Sequence, residues 1–236
     1  MSAKQEKKMR ANNALKTDKS IVGQLDGDIR YTLERLNHHE QQDLPDSLFI
    51  GMPLMRSNEE LINRALILCA LCNIACIEAP IHEIKSWIEQ YNLTSFLSES
   101  EKILLDKKNE DLTKQEIIDI SWFVESLWAL VWAGGLIKNL PVDDDQDAGN
   151  NYVKSFPDFR EREGVSKFRH KMRIRTIEEI CEKLNLYCDA HWYAKDGRIN
   201  NYPTGKMDEE IIRERRKSLE WIMDDSLDWD NIPLDT

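Results

Sequence analysis

The sequence predicts a mainly α-helical fold: a compact, multi-helix single domain with few or no strands. Apolar residues recur every three or four positions along most of the chain, whereas the alternation of a half-buried strand is rare. Only nine Gly and seven Pro interrupt the 236 residues. Four capping boxes, in which Ser or Thr precedes Glu by three positions, mark helix starts. We therefore expect more than half of the residues to be helical, with any short strands confined to 141–170 or to loops.

The N-terminal part carries the weakest pattern. Residues 1–17 are polar and basic, and we expect them to form a flexible lead-in. An apolar repeat from Ile21 to Leu36 predicts a helix, although Gly23 and Gly27 lie in its first half and lower its helical propensity.

The segment 57–135 predicts four helices. The first is the most apolar and runs to about Glu78. The fourth is long, ends at the Gly134-Gly135 pair and is expected to be central. Their predicted starts are Ser57, Pro80, Ser98 and Thr113.

The helical pattern disappears between Pro141 and about Lys171. No repeat or low-complexity linker divides the chain, so we predict a single domain over 18–236, in which 141–170 is a candidate hinge.

Two further helices are predicted after this stretch. Thr176 begins the first, and Asp208 begins the last. The segment DGRINNYPTG (196–205) between them has the composition of a loop.

Charge limits the classes of partner. The net charge is −11 and the isoelectric point is near 5.0. Because nucleic-acid backbones bind through Lys and Arg that displace counterions, nucleic acid is a poor candidate ligand. An acidic surface is better suited to steering a basic protein partner.

The five cysteines indicate a reducing, cytoplasmic location, because their number is odd and the N-terminus has no apolar signal core. Cys69, Cys72 and Cys76 share one helix face within an apolar run that is too short to span a membrane. We predict that they are buried, reduced thiols, and we expect no metal and no cofactor.

One acidic segment resembles a calcium loop in part. Asp143, Asp145 and Asp147 alternate as such ligands do, but Gly149 comes one residue late. Lys154 occupies the position where a bidentate Glu is needed. A solvated turn is the favoured interpretation.

His191 is the one candidate for acid–base chemistry. It could act with Asp196 as an acid–base pair, because an imidazole titrates near neutral pH. In the alternative interpretation His191 is structural, bonds a backbone carbonyl and packs beside Trp192. The structural interpretation is favoured, because no nucleophile or oxyanion donor lies nearby and no phosphate loop, serine elbow or zinc-helix signature occurs.

Four segments carry a family resemblance. They are RSNEELINRALIL (56–68), WFVESLWALVWAGGLI (122–137), RTIEEICEKLNLYCDAHWYAKDGRIN (175–200) and IRERRKSLEWIMDDSLDWDNIPLDT (212–236). In this order they resemble the hallmark segments of domain-of-unknown-function family 4272, over most of the chain from about residue 50. The family has no established activity, so the resemblance implies only a shared polar site. Its residues would be Arg64, Glu125, Arg175, Glu179, His191, Asp196, Glu214 and Arg215.

The chain departs from that family in two places. Members usually carry Arg shortly before the histidine of the His-Trp pair, where this chain has Cys188-Asp189-Ala190. They also tend to carry His where Arg216 stands. Both departures weaken a shared acid–base role.

Two functions from different classes are consistent with the sequence. The first is a non-catalytic acidic protein-interaction module with a protein partner, such as a regulator or an immunity-type protein that neutralises a toxin. The second is an enzyme or binder of a small or phosphorylated molecule, in which His191, Asp196 and Glu214 would be catalytic. Convergence of the charged residues on one pocket would favour the second.

The candidate binding residues are Arg64, Glu125, Arg175, Glu179, Arg198 and Arg215. Since buried charges are costly unless paired, we expect those in apolar helices to pair with one another.

Overall fold

A computed structural model describes residues 54–142, 156–159 and 164–234 of the protein. All of them belong to one compact unit, Pro53–Thr236. The predicted lead-in, the predicted helix from Ile21 to Leu36 and the acidic segment with the calcium-like pattern lie outside the described residues.

Helices make up 65% of the described residues, and no strand occurs among them, so the mainly α-helical prediction is confirmed. Short 3₁₀ turns lie at Thr94–Phe96 and Asn109–Asp111. The α-helices are α1 (Asn58–Cys76), α2 (Ile81–Gln90), α3 (Glu99–Leu105), α4 (Lys114–Ala133), α5 (Ser166–Lys171), α6 (Ile177–Asn200) and α7 (Glu209–Met223).

The four predicted capping boxes are all present. In each, the Ser or Thr side chain accepts a hydrogen bond from the backbone N–H three residues on, and the Glu carboxylate accepts one from the backbone N–H of the cap residue. Asp208 caps α7 as predicted, accepting from the N–H groups of Glu210 and Ile211. These local bonds satisfy donors that a helix N-terminus otherwise leaves unpaired, so helix starts follow closely from sequence.

The central helix is α4, which packs against both α1 and α7, while α6 packs on α7. The last eight residues of α4, from Ser126 to Ala133, are all buried. Because α1 is apolar on every side, it is buried along most of its length. No helix in the described part of the chain is long and apolar enough to cross a membrane.

The helix α6 extends further than the sequence predicted. Residues 196–200, which were expected to be a loop, continue the helix to Asn200, and Asn201 ends it with a left-handed φ of 56°. Gly197 is buried inside this last turn, where a Cβ would lie 2.3 Å from Cγ2 of Thr204. The glycine permits close packing of the returning chain and is not the loop signal that its sequence context indicated.

The candidate hinge region contributes to the core where it is described. Phe156 stacks on Phe168 of α5 with ring centroids 4.8 Å apart, and both are buried. The sequence did not predict α5. Arg169 of this helix pairs with Glu59 at 2.5 Å and donates to Asn63 at 2.8 Å, which fastens α5 to α1.

The three cysteines of α1 differ in exposure. Cys72 is buried and Cys69 is half-buried, but Cys76 is exposed, so the prediction of three buried thiols is wrong for Cys76. Cys76 is the last residue of α1, where the helix leaves the core. Burial raises the pKa of the Cys69 thiol to about 12.

Candidate functional site

Glu125 and Arg215 form a buried ion pair between α4 and α7. The Nη2 of Arg215 lies 2.8 Å from the Oε2 of Glu125, and only 1% of the arginine side chain is exposed. The guanidinium also donates to the carbonyl of Pro141 and lies 4.2 Å from the ring centroid of Trp128. These contacts tie two core helices to the chain that follows α4.

Arg64 and Glu101 form a second buried pair, between α1 and α3. Their closest N–O distance is 2.6 Å, with side chains 5% and 1% exposed. Arg64 also donates to the carbonyl of Phe96, and the second oxygen of Glu101 accepts from the N–H of Ser98. The pair therefore anchors the N-terminus of α3 on α1.

Arg175 and Glu179 form a third pair, near the surface. They are 2.9 Å apart, and the Glu179 side chain is 48% exposed. Arg175 donates to the carbonyls of Trp132 and Ile137 and lies over the Trp132 ring. Because it binds carbonyls in the last turn of α4 and in the chain that follows, its contacts are those of a structural arginine.

His191 is buried and bonded to Arg216 at 3.0 Å through Nδ1. Since a guanidinium has no acceptor, Nδ1 must accept, which leaves the neutral imidazole with its proton on Nε2. Burial, and then the charge of Arg216, lower the pKa of His191 below its ordinary value. The predicted carbonyl partner is thus wrong, and Trp192 does not pack beside the ring in the core, because it is 58% exposed.

Asp196 is hydrogen-bonded to residues other than His191. Its two oxygens accept from Asn200 and from the hydroxyl of Tyr202, each at 2.7 Å. The hydrogen bond to Asp196 raises the pKa of Tyr202 to about 12. Arg198 pairs with Glu209 at 2.5 Å. The two residues of the predicted acid–base pair are therefore each bonded to other groups and not to one another.

Glu214, the third candidate catalytic residue, is engaged elsewhere. Its Oε2 accepts from the hydroxyl of Ser126 at 3.1 Å, and its Oε1 lies 3.2 Å from Arg213. Each of the charged residues chosen from the sequence is thus engaged: Glu125 with Arg215 and Arg175 with Glu179 within that set, and the other five with residues outside it. They do not converge on one pocket. Within the described ranges, no group of His, Cys, Asp or Glu is arranged to hold a metal ion.

A pocket that sequence reasoning missed lies between α1, the Thr94–Phe96 turn, the end of α7 and the tail that follows it. It has a volume of about 220 Å³. Trp221 and Trp229 form part of its wall, with their rings edge to face and centroids 5.5 Å apart. Arg56 lies 4.1 Å from the Trp221 centroid, and Arg64 lies 4.8 Å from that of Trp229. The only sequence signals were the tryptophans themselves and the distinctive tail.

A second feature of note is an exposed stripe along α6. Its residues follow spacings of three and four, which places them on one helix face. Six are exposed and one, Asp196, is half-buried. Four are acidic and none is basic, while Trp192 and Ile199 are 58% and 64% exposed. We call this the α6 acidic stripe; its members are Glu178, Glu182, Asn185, Asp189, Trp192, Asp196 and Ile199.

Comparison with known families agrees with the resemblance. The sequence model of one family, the domain of unknown function DUF4272, matches residues 29–232, which is most of the chain. The chain belongs to this family. Neither the curated proteins nor the solved structures include a significant match to this DUF4272 protein.

Cys188 and Arg216 meet at the carboxylate of Glu220. Arg216 pairs with Glu220 at 3.0 Å, and the thiol of Cys188 lies 3.8 Å from the same carboxylate. Burial is the main cause that raises the pKa of Cys188. In this DUF4272 protein, His191 therefore lies in a contact between α6 and α7 that is built by arginine and a neutral thiol.

Proposed function

We propose that this DUF4272 protein is a non-catalytic interaction module that binds a protein partner through the α6 acidic stripe. The observation that carries the proposal is the exposure of Trp192, 58%, on the longest helix of the described part of the chain. Large aromatic side chains normally fill a core, and Trp is among the residues most enriched where binding energy is concentrated in interfaces.

The acidic residues beside Trp192 favour a basic partner, although Lys195 also lies one turn from it. Asp189 and Asp196 lie one turn to either side of it, and Ile199 adds a second apolar contact two turns on. The complementary surface of such a partner would carry Lys or Arg around an apolar pocket into which the Trp192 indole inserts. Electrostatic attraction between such surfaces speeds association and selects against acidic competitors.

The distribution of the other charges supports a non-catalytic role. Glu125, Arg64 and Arg175 hold helices and loops together, and His191 is neutral and bonded to Arg216. Residues that fasten a fold in this way are not available as a group at one reaction centre.

We also propose a cytoplasmic location, as expected of a regulator or an immunity-type protein. The five cysteines support it, since all are free thiols, as is usual where glutathione keeps proteins reduced.

The test is a comparison of captured proteins between matched variants. Tagged wild-type protein, Trp192→Ser and Ile103→Ser are used in pull-downs from the native host, followed by mass spectrometry. Ile103 is 64% exposed on α3 and lies outside the stripe, so its variant controls for the loss of any exposed apolar side chain.

The expected result is a basic partner that wild type and Ile103→Ser capture and Trp192→Ser loses. Titration of the purified partner should then show an affinity at least tenfold lower for Trp192→Ser, and weaker binding at higher salt. A partner that binds the Trp192→Ser variant as tightly as wild type would contradict the proposal.

A further inference from the structure

The pocket beside Trp221 and Trp229 contains a charged group whose hydrogen-bonding capacity is not filled. Arg64 is 4% exposed and lines the pocket. Its guanidinium has five N–H bonds, and the described residues supply two acceptors, Glu101 and the carbonyl of Phe96. The Nε of Arg64 is buried without an acceptor among them. Unpaired buried donors are costly, which makes this guanidinium a place for an acceptor from outside the chain.

An exposed carboxylate lies at the mouth of the same pocket. Asp228 is exposed, and its Oδ1 accepts from the N–H of Asp230 and from the side chain of Asn231. Its Oδ2 has no donor within the described residues. The pocket therefore offers a donor in its wall and an anionic acceptor at its rim.

The charges around the pocket are close to balance. Arg56 is paired with Glu60, and Arg64 is paired with Glu101. Lys217 lies 4.7 Å from the Trp229 ring centroid and is near Asp230. Burial lowers the pKa of Lys217. Because no strong excess of one sign is present, a ligand with a large net charge would be left uncompensated.

The walls limit the size and shape of the ligand. The volume of about 220 Å³ is below that of a typical pocket for a drug-sized molecule. Phe96 and Leu97 add apolar surface beside the two indoles. This space suits a small molecule that carries polar groups beside a short apolar portion.

We propose that this pocket binds a small zwitterion of the free amino-acid class, with its carboxylate on the Arg64 guanidinium and its ammonium group at Asp228. The carboxylate then supplies an acceptor to Arg64, the ammonium group supplies a donor to Asp228, and the net charge of the ligand is zero. This site is separate from the α6 acidic stripe, so it does not depend on the interaction function proposed above.

The test uses the full chain and a panel of the common L-amino acids, with acetate and inorganic phosphate as anionic probes that lack an ammonium group. Binding is followed by thermal shift and by tryptophan fluorescence up to about 10 mM, a concentration that detects Kd values in the millimolar range. At least one amino acid should bind in a saturable manner, and acetate and phosphate should not.

Three variants locate the site. Asp228→Asn should weaken binding at least tenfold, whereas Asp225→Asn, an exposed acid on the same tail outside the pocket, should leave it unchanged. Ser95→Trp places a bulky side chain at the exposed rim and should abolish binding without disturbing the core.

Several results would overturn the proposal. They are the absence of binding by every amino acid in the panel, acetate or phosphate binding as tightly as the amino acid, and binding that survives Ser95→Trp. A Tm for Ser95→Trp equal to that of wild type establishes that a loss of binding comes from a blocked pocket and not from unfolding.

Discussion

Glu125 and Arg215 meet at 2.8 Å across the central pair of helices, although 90 residues separate them in the chain. Arg215 is among the largest fully buried side chains of the described residues. A buried guanidinium is tolerated when its charge is compensated and its donors are occupied, and Glu125 and the carbonyl of Pro141 do this.

Replacing Glu125 by Ala should destabilise the fold by about 3–5 kcal/mol, because it leaves the buried charge of Arg215 without its carboxylate. The free energy of unfolding from a denaturant titration measures this loss. Glu179→Ala is the comparison variant: Glu179 is also paired with an arginine, but it is 48% exposed and also belongs to the Thr176 capping box, and its loss should destabilise the fold clearly less than the loss of Glu125. Equal losses in the two variants would show that burial does not decide the strength of these pairs. A fully stable Glu125→Ala protein that has lost its cellular activity would instead assign Glu125 to binding.

Acidification should weaken the fold through His191. Its pKa is lowered in the folded state by burial and by Arg216, so the unfolded chain binds the proton more readily. The contribution of His191 to the free energy of unfolding is therefore fully present above its ordinary pKa of 6.5, and it is lost as the pH falls below that value. The other charged groups that act on His191 are Glu209, which raises its pKa, and Lys195 and Arg213, which lower it.

Denaturant titrations across this pH range should show a shallower decline for His191→Gln than for wild type. His82→Gln removes an exposed histidine from α2 and should follow the wild-type curve. An unchanged pH dependence in His191→Gln would rule out this histidine as the responsible group.

The cysteines of α1 should react in an order set by their exposure. Cys76 is exposed at the end of the helix, while burial raises the pKa of Cys69 to about 12 and that of Cys72 well above its usual range. Alkylation of the native protein, followed by peptide mass spectrometry, should label Cys76 first and leave Cys72 unlabelled. Early labelling of Cys72 would contradict this order. Metal analysis of the purified protein should find no stoichiometric zinc or iron.

Gly197→Ala should destabilise the end of α6. The added Cβ would lie 2.3 Å from Cγ2 of Thr204 and 3.2 Å from the carbonyl oxygen of Tyr202. Overpacking of this kind costs about 1–3 kcal/mol, from which the better helical propensity of Ala subtracts up to about 1 kcal/mol. Thermal unfolding should show a lower Tm, which Thr204→Ser restores in part because it removes the Cγ2 methyl group. A Tm above that of wild type would mean that the returning loop moves away freely.

Most helix starts could be predicted because their causes are local. The capping bond of Ser57 to Glu60, like that of Thr176 to Glu179, joins residues three apart, and the apolar spacing after each cap extends the signal. The end of α6 could not be predicted, because Gly197 resembles a loop signal until Thr204 is seen to pack on it. The same limit explains the exposed Cys76, whose place on an apolar face indicated burial but whose helix ends at that residue.

The sequence by itself determined the helical class, the family and the fact that charges lie in apolar surroundings. Only the tertiary structure decided their partners: Arg64 meets Glu101 over a separation of 37 residues, and His191 meets Arg216 over 25. It also decided that the predicted polar set is divided among separate contacts, that Trp192 is exposed and that Trp221 and Trp229 line a pocket. The physical reason is that caps and helical periodicity act within a few residues. Burial and charge pairing depend instead on which faces of distant helices come together, and a single sequence does not specify this.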